Sequence, residues 1–326
     1  MEILENPQYD DTFEEIYEIR NRLFSLLTNE EYDELRKVVT SIPLRNQYLT
    51  NLKYEWEIEI ASEQQNIELV ETILKESLQQ GIWFSGVVLR EYLRDFSNSS
   101  RLKSIIDQHE KMYLEVKEHT EPQMIIRAPR KPQSGRRYPL ILFFDGRHSD
   151  HTISQFYWKP ALELMDTVFA SLRSSQIHAF GQYAWDDESI SIREVRDAYE
   201  ILLQRDDVDE TQVIVSGMSQ GAGIALQAIA KEIIPAIGFL TIAQALKPES
   251  FFGSESPSLF GKNLKSVIVS GEKDVSRHPS HKKFHELALA SGIDCELYSY
   301  PDIGHEYPND FCELVVKSVK FMIGER

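Results

Sequence analysis

The feature that most constrains this chain is a short apolar run that leads through a Gly-x-Ser-x-Gly segment directly into an alanine-rich helix. The run is Val213–Ser216, and the segment places Ser219 between Gly217 and Gly221. On such a tight strand-to-helix turn, side chains beside the serine would collide with the neighbouring backbone, and glycine avoids that collision. The serine oxygen also lies at a helix N-terminus, where exposed N–H groups favour negative charge. We therefore predict that Ser219 is a nucleophile on a strand–turn–helix elbow.

An acidic residue and a histidine follow the serine in the order that such an elbow requires. Asp274 and His305 each lie on a loop after a later apolar run. A hydroxyl is a weak nucleophile until a base takes its proton. We predict that His305 accepts the Ser219 proton and that Asp274 holds the imidazole in its working tautomer. Glu272 lies on the same turn and is the alternative acid, but Asp274 is favoured because it lies nearer the loop tip.

The tetrahedral intermediate of such a reaction needs two N–H donors for its oxyanion. The backbone of Gln220, the residue after the nucleophile, is predicted to supply the first. The second is expected from the loop after the apolar run Leu140–Phe144, where Gly146 lets the backbone approach closely. The Arg147 N–H is the first choice and the Gly146 N–H is the alternative. The competing interpretation is that Gly146 is a simple turn glycine.

Two further residues are candidates for substrate binding. Trp185 and Asp186 follow the apolar run Ile177–Tyr183, which is predicted to be a strand of the sheet. Ligands of such folds bind beyond the carboxyl ends of the strands, so both residues would lie near the substrate. The competing interpretation is that the aspartates of this segment cap the helix that follows.

Histidines occur in two groups that raise the question of a metal site. One group has helical spacing, and the other shares a loop with aspartates; they are His278, His281 and His285, and His148 and His151 with Asp145 and Asp150. Neither group has the cysteine partners or the His-Glu-x-x-His pattern of a zinc site. We therefore predict no metal and no cofactor, and we expect the first group to lie on a solvated helix face.

Two regions of the chain differ in the period of their apolar residues. Residues 1–118 have helical spacing and predict a small all-helical domain of short hairpins. In residues 119–326, short apolar runs alternate with amphipathic segments, which predicts an α/β domain with a mostly parallel sheet. The predicted strands are Gln123–Arg127, Leu140–Phe144, Ile177–Tyr183, Gln212–Ser216, Ala236–Ile242, Ser266–Ser270 and Glu296–Tyr300.

Composition narrows the classes of partner and location. The formal net charge of −17 disfavours binding to nucleic acid or to anionic membranes, so we expect neither partner. The two cysteines form no disulfide framework, and the N-terminus lacks a basic segment followed by an apolar stretch. These features predict a cytoplasmic protein, and they leave its oligomeric state open.

Residues from about 122 to 326 resemble the α/β-hydrolase superfamily, in particular its phospholipase/carboxylesterase and dienelactone-hydrolase-like members. The resemblance rests on the Gly-x-Ser-Gln-Gly segment around Ser219, on the turn Gly271–Asp274 and on the pair Gly304–His305. It implies an α/β-hydrolase fold and hydrolysis of a carboxylic ester or thioester through an acyl-enzyme, without a cofactor. The sequence departs from the pattern at Phe144–Gly146, where many relatives carry His-Gly, which leaves the oxyanion donors open.

The helical region resembles the tetratricopeptide-like hairpins that precede some predicted bacterial hydrolases, over the stretch from Gly81 through Ile105. Two roles for the helical domain stay open: binding of a protein partner, or packing on the α/β domain, where it would restrict which substrates reach Ser219. The α/β domain would act on a small-molecule ester. Two alternatives are a serine peptidase of the prolyl-oligopeptidase type and a noncatalytic helical-repeat interaction protein. The small helical domain argues against the first, and the complete set of serine, acid and histidine argues against the second.

Overall fold

The chain folds into two compact units. The first, which we call the sheet unit, comprises Met1–Phe13, Glu121–Ser174 and Trp185–Arg326. The second, the helical unit, comprises Glu14–Thr120 and Ser175–Ala184. The computed structural model describes residues 1–7, 11–45, 47–93, 96, 98–129, 131–252, 258–259 and 262–325, and for residues 11–14, 17 and 47 it describes the main chain only.

The sheet unit is built on an eight-stranded sheet. Its strands are β1 Glu2–Glu5, β2 Gln123–Arg127, β3 Tyr138–Phe144, β4 Val168–Arg173, β7 Val208–Met218, β8 Gly238–Ile242, β9 Lys265–Gly271 and β10 Asp294–Tyr300, while β5 Ile177–Ala179 and β6 Gln182–Tyr183 lie in the helical unit. The spatial order is β1-β2-β4-β3-β7-β8-β9-β10, and β2 and β4 are the antiparallel pair in an otherwise parallel sheet. The predicted mostly parallel sheet is confirmed.

Helices cover both faces of this sheet. They are α7 His151–Leu162, α8 Glu188–Leu203, α9 Gln220–Ala230, α10 His278–Ala290 and α11 Phe311–Ile323. Successive residues of a strand point to opposite faces, and β3 shows this alternation. Leu142 belongs to an apolar cluster with side chains of α8, α9 and α10, whereas Phe143 belongs to a second cluster with side chains of α7 and α11. Burial on both faces explains why the central strands read as continuous apolar runs.

The parallel strands deliver the candidate residues to one edge of the sheet. Ser219 directly follows β7, Asp274 lies three residues after β9, and His305 lies five residues after β10. Gly146 follows β3, which runs parallel to β7. Because the carboxyl ends of parallel strands meet at the same edge, the topology gathers these four segments together.

The helical unit holds the predicted helices of the N-terminal region. They are α1 Asp11–Thr28, α2 Tyr32–Ser41, α3 Gln47–Glu63, α4 Ile67–Gln79, α5 Gly86–Leu93 and α6 Lys103–Lys117. Its core contains Tyr54, Val70 and Leu89 from three different helices. His109 of α6 is buried in this core, where its Nδ1 accepts from the Phe84 N–H at 3.3 Å, and burial lowers its pKa to about 4. The structure thus confirms an N-terminal helical region of several helices, although residues 2–5 form β1.

The prediction that Ile177–Tyr183 is a strand of the main sheet is wrong. This segment forms a hairpin in which β5 and β6 pair antiparallel, and Ala179 bridges to Phe84 of the helical unit. The Phe180 N–H donates to the Trp83 carbonyl at 2.9 Å. The place in the main sheet belongs to β4, which the sequence analysis missed and which pairs with both β2 and β3.

The two units differ from the predicted division between residues 118 and 119 in two segments. Met1–Phe13 belongs to the sheet unit because β1 pairs in parallel with β2, with Ile3 opposite Met124. Ser175–Ala184 belongs to the helical unit because the hairpin makes its main-chain contacts there. Both segments are short and depend on contacts with distant parts of the chain, β2 for the first and Trp83–Ser85 for the second, which local sequence does not reveal.

Candidate active site

Ser219 lies in a strained turn between β7 and α9. Its backbone has φ 52° and ψ −117°, and a residue with a side chain rarely adopts such a positive φ. Two main-chain hydrogen bonds hold it there: the Ser219 N–H donates to the Ile242 carbonyl at 2.9 Å, and the Ser219 carbonyl accepts from the Ala245 N–H at 3.1 Å. Strain of this kind persists only where surrounding contacts over-determine it, and it clusters at functional sites.

The two glycines that flank the serine are required by close backbone contacts. A Cβ at Gly221 would lie 2.2 Å from the Phe144 carbonyl oxygen and 2.3 Å from that of Asp145. A Cβ at Gly217 would lie 2.5 Å from the carbonyl group of Gly221. These atoms are main-chain atoms that cannot rotate away, so both positions exclude any side chain. The Gly-x-Ser-x-Gly spacing thus follows from the packing of Gly221 against the end of β3 and of Gly217 against the first turn of α9.

The structure joins Asp274 to His305. The His305 Nδ1 lies 2.7 Å from the Asp274 Oδ2, and Asp274 is 7% exposed. The other carboxylate oxygen accepts from the Ser276 hydroxyl at 3.0 Å and from the Arg277 guanidinium at 3.4 Å. Glu272, the alternative acid, instead accepts from the Ser299 hydroxyl at 2.9 Å.

Asp274 is held in its ionised form. Burial raises its pKa, but the hydrogen bond from His305, the charge of His305 and the nearby Arg277 outweigh burial and leave the pKa at about 2. The carboxylate therefore accepts a hydrogen bond from the Nδ1–H of the imidazole. The Nε2 lone pair of a neutral His305 is then left to act as a base.

The loop that carries His305 is fixed to the turn that carries Asp274. The Lys273 N–H donates to the Ile303 carbonyl at 3.0 Å, and the Glu272 N–H donates to the Tyr300 carbonyl at 2.9 Å. A Cβ at Gly271 would lie 2.2 Å from the Gly304 carbonyl oxygen, so the two backbones touch. This contact gives a physical reason for the glycine at the start of the Gly271–Asp274 turn.

An aromatic stack supports the same loop from its other side. The Tyr307 ring lies 3.8 Å from the Tyr157 ring of α7, centroid to centroid, with 19° between the planes. Tyr307 also meets Phe311 of α11 edge to face at 4.8 Å. Tyr307 lies two residues after His305, so these rings limit how far the imidazole can move.

The Ser219 hydroxyl makes no hydrogen bond to His305 or to another residue of the described chain. Hydrogen bonds between a nucleophile and its base are often long in free enzymes and shorten when substrate binds. The structure therefore brings Asp274 and His305 into contact and leaves Ser219 on the turn after β7, at the same sheet edge.

The loop after β3 passes beside the serine. A Cβ at Gly146 would lie 3.3 Å from the Ser219 Cβ and 3.5 Å from the Met218 carbonyl oxygen. Gln220 is the first residue of α9, so its N–H is one of the amides that have no acceptor within the helix. The two segments predicted to supply oxyanion donors thus lie next to the nucleophile.

Side chains tie Trp185 and Asp186 to the elbow. The Gln220 Oε1 accepts from the Trp185 N–H at 3.0 Å, and the Gln220 Nε2 donates to the Asp186 carboxylate at 2.9 Å. The Trp185 indole N–H donates to the Asp145 carbonyl at 3.0 Å. Trp185 is 6% exposed and packs edge to face on Phe144, so it supports the elbow from within.

Asp186 differs from Trp185 because its carboxylate reaches the surface of the site. It accepts from the Arg147 guanidinium at 3.3 Å as well as from Gln220. The aspartate that caps α8 is Asp187, which accepts from the N–H groups of Ser189 and Ile190. The capping interpretation therefore applies to Asp187 and does not account for Asp186.

The expectation that His278, His281 and His285 lie on a solvated face is wrong. His278 is 8% exposed and His281 is fully buried. Their spacing matches that of the buried residues Phe284 and Ala288 on α10, and this shared face was the signal that the lysines between them obscured. Among the described residues, no group of three histidine, cysteine or acidic side chains is arranged to hold a metal ion.

The second histidine group is also dispersed. Asp150 caps α7 by accepting from the Thr152 N–H, and Asp145 accepts from the Ser154 hydroxyl at 2.7 Å. His151 is fully buried, and burial lowers its pKa to about 4. His148 has a positive φ of 61° in the loop between β3 and α7. The carboxylates of this group are thus engaged in holding the loop and the start of α7.

The segment that carries the three candidate residues matches a known protein family. Residues 187–323 match the sequence profile of the Phospholipase/Carboxylesterase family, a span that covers less than half of the chain and contains Ser219, Asp274 and His305. No curated protein sequence matches the chain. The family match does not extend to residues 1–118, so the resemblance of that region to tetratricopeptide-like hairpins stays a prediction.

Several solved structures are similar to this chain. A protein of Bacillus cereus ATCC 10987 described as uncharacterized is 22% identical, with a TM-score of 0.53 over 94% of this chain and 98% of that chain. The Bacillus cereus carboxylesterase is 12% identical, with a TM-score of 0.49 over 64% of this chain and 98% of that chain. Esterase PE8 is 17% identical, with a TM-score of 0.49 over 62% and 98%. The family match and the mostly parallel eight-stranded sheet confirm the predicted α/β-hydrolase fold.

The glycine contacts yield a test with a matched control on the same helix. We expect Gly221→Ala to lower the free energy of unfolding by about 3 kcal/mol or more, because its Cβ meets main-chain oxygens that cannot move aside. Gly223→Ala should instead be neutral or raise stability by about 0.5–1 kcal/mol, since the nearest atom to its Cβ would be the Ala245 carbonyl oxygen at 3.8 Å. Urea denaturation of the two variants measures the difference. Equal effects at both positions would contradict the packing described for the elbow.

Proposed function

We propose that this chain is a serine hydrolase that cleaves a carboxylic ester or thioester of a small substrate through an acyl-enzyme. The observation that carries the proposal is the 2.7 Å bond between Asp274 and His305 at the sheet edge where Ser219 occupies a left-handed turn. The match of residues 187–323 to the Phospholipase/Carboxylesterase family supports an ester as the bond that is cleaved.

The proposed reaction begins with proton transfer from Ser219 to His305. The neutral imidazole takes the hydroxyl proton at Nε2 as the serine oxygen attacks the substrate carbonyl carbon, and Asp274 stabilises the imidazolium that forms. Collapse of the tetrahedral intermediate expels the alcohol or thiol, which receives its proton from His305. A water molecule then attacks the acyl-enzyme by the same route and releases the carboxylic acid and the free serine.

The oxyanion of each tetrahedral intermediate would be bound by main-chain amides. The Gln220 N–H at the start of α9 is the first proposed donor, and the Arg147 or Gly146 N–H of the loop beside Ser219 is the second. The glutamine side chain has a separate task, because it bonds both Trp185 and Asp186. We propose that this bond network fixes the donors before substrate arrives, so that no reorganisation is needed during the reaction.

We propose that Asp186 binds the substrate directly and that Trp185 contributes by its packing. The Asp186 carboxylate accepts from the guanidinium of Arg147, a residue of the loop that approaches Ser219. In this position the carboxylate can contact a polar group of the substrate. Trp185 is buried and would act on the substrate through the position of Asp186. No cofactor takes part in this scheme, because the three side chains and the amides supply base, acid and oxyanion stabilisation.

Composition and cysteine chemistry extend the proposal to location and partners. Cys295 and Cys312 are free thiols, and burial raises the pKa of Cys295 to about 11, which makes it unreactive. No helix in the described part of the chain has the length and apolar character needed to cross a bilayer. The free thiols and the net charge of −17 support a cytoplasmic enzyme that does not bind nucleic acid or membranes. The helical unit would be available to a protein partner.

Replacement of the nucleophile tests the proposal directly. We expect Ser219→Ala to abolish hydrolysis of p-nitrophenyl esters and labelling by a fluorophosphonate probe, because the substitution removes the proposed nucleophile, while the circular dichroism spectrum stays unchanged. The wild-type protein should hydrolyse these esters in preference to aminoacyl-arylamides. A wild-type protein that resists the probe, or a labelled Ser219→Ala variant, would refute the assignment.

The acid and the base are tested with a control on the same turn. His305→Ala should lower kcat by several orders of magnitude. Asp274→Asn should lower it by about 10⁴-fold, because the amide favours the wrong imidazole tautomer. Glu272→Gln is the matched control and should leave kcat within about twofold, since Glu272 bonds Ser299 and not the imidazole. Greater loss in Glu272→Gln than in Asp274→Asn would show that the acid is misassigned.

A further inference from the structure

Three buried polar side chains, one at the end of β9 and two on α10, lie on either side of the Gly271–Asp274 turn along the chain. The Ser270 hydroxyl, at the end of β9, lies 2.8 Å from the His278 Nδ1 and 2.6 Å from the His281 Nδ1. The His281 Nε2 lies 2.8 Å from the main-chain carbonyl oxygen of Gln244. We call Ser270, His278, His281 and the Gln244 carbonyl the His281 network. The proposed reaction does not use any of these groups.

The hydrogens of the His281 network are fixed by its partners. Burial lowers the pKa of His281, against the opposing effect of the Gln244 carbonyl, so the imidazole is neutral. A carbonyl oxygen can only accept, so His281 carries its proton on Nε2, and its Nδ1 accepts from the Ser270 hydroxyl. Ser270 has one hydrogen to donate, so its oxygen must accept from the Nδ1–H of His278. The three side chains therefore form one directed chain that ends on Gln244.

One end of this chain reaches the nucleophile. Gln244 is followed by Ala245, whose N–H donates to the Ser219 carbonyl at 3.1 Å. The preceding residue, Ala243, has a positive φ of 44°, and its N–H donates to the Val269 carbonyl at 2.9 Å. The segment after β8 is thus a strained connector between Ser219 and β9, and the His281 bond fixes its central carbonyl.

The other end of the chain reaches the acid. His278 is the first residue of α10, and its main-chain N–H donates to the Asp274 carbonyl at 2.8 Å. Ser270 is followed directly by the Gly271–Asp274 turn. The Ser280 hydroxyl of the same helix donates to the Leu246 carbonyl at 3.0 Å, which gives a second tie between α10 and the segment after β8.

We infer that His281 and Ser270 are positioning residues that set the separation of Ser219 from the Asp274–His305 pair. They connect the segment that holds the Ser219 carbonyl to the turn that holds the acid, through a chain of hydrogen bonds with a single arrangement of hydrogens. The hydrogen bond between Ser219 and His305 must form as the reaction begins. A small shift of the segment after β8 relative to the Asp274 turn would therefore misalign the proton transfer. The inference rests on the proposed function, since it concerns the geometry of that reaction.

Variants of His281 separate its hydrogen bonds from its volume. His281→Phe keeps the size of the ring and removes both bonds, whereas His281→Gln keeps a donor that reaches the Gln244 carbonyl. Ser270→Ala removes the hydroxyl that links the two histidines. The matched control is His285→Phe, because His285 lies on the same helix and also contacts a main-chain carbonyl, that of Cys295 at 3.0 Å, outside the His281 network.

We expect His281→Phe to lower kcat toward a p-nitrophenyl ester by about 10- to 100-fold, with KM changed by less than about twofold. Ser270→Ala should lower kcat by about tenfold, and the rate of fluorophosphonate labelling should fall in proportion to kcat in both variants. His281→Gln should recover most of the lost kcat. His285→Phe should keep the wild-type kcat even where its melting temperature falls.

Circular dichroism and thermal unfolding establish first that each variant is folded at the assay temperature. If His281→Phe does not fold, Ser270→Ala is compared with His285→Phe instead, and the kcat of Ser270→Ala is again expected to be about tenfold lower. A folded His281→Phe or Ser270→Ala variant with the kcat of His285→Phe would overturn the inference and leave the proposed function intact. A wild-type protein without esterase activity or labelling would instead overturn the proposed function.

Discussion

The turn between β7 and α9 packs directly against the carbonyl oxygens at the end of β3, and this backbone contact determines where Ser219 lies. The contact leaves no space for a side chain at Gly221, and the resulting turn forces Ser219 to a φ of 52°. Such a conformation costs about 1–3 kcal/mol. Hydrogen bonds to Ile242 and Ala245 offset that cost, so the half-buried serine at the helix terminus has little freedom to move.

The rest of the site is arranged around this fixed serine by loops that touch one another. The His305 loop is bonded to the Asp274 turn through main-chain groups, and Asp274 stays ionised because His305 and Arg277 outweigh the effect of burial on its pKa. The Gln220 side chain joins the elbow to the segment with Trp185 and Asp186. These hydrogen bonds join neighbouring segments of the chain, and together they resist small shifts of the backbone in several directions.

The sequence predicted those features that local residues determine. The elbow, the alternation of strands and helices, and the candidates Asp274 and His305 depend on short motifs and apolar periods. The strand β4 was missed, and Ile177–Tyr183 was assigned to the sheet in its place, because short apolar runs do not reveal their pairing partners. Strand β1 is acidic and short and forms only against β2. His281 was expected on the surface, because lysines beside it obscured its buried spacing with Phe284.

The identity of the group that carries the acyl intermediate is the most direct test of the account. The protein would be mixed with an excess of p-nitrophenyl acetate, quenched in acid within the first turnovers, and analysed by intact mass and peptide mapping. The account predicts one acetyl group on the peptide that contains Ser219, and none on the Ser219→Ala variant, which should also show no turnover. Turnover with an acetyl group on a different residue, or turnover that persists in Ser219→Ala, would contradict it.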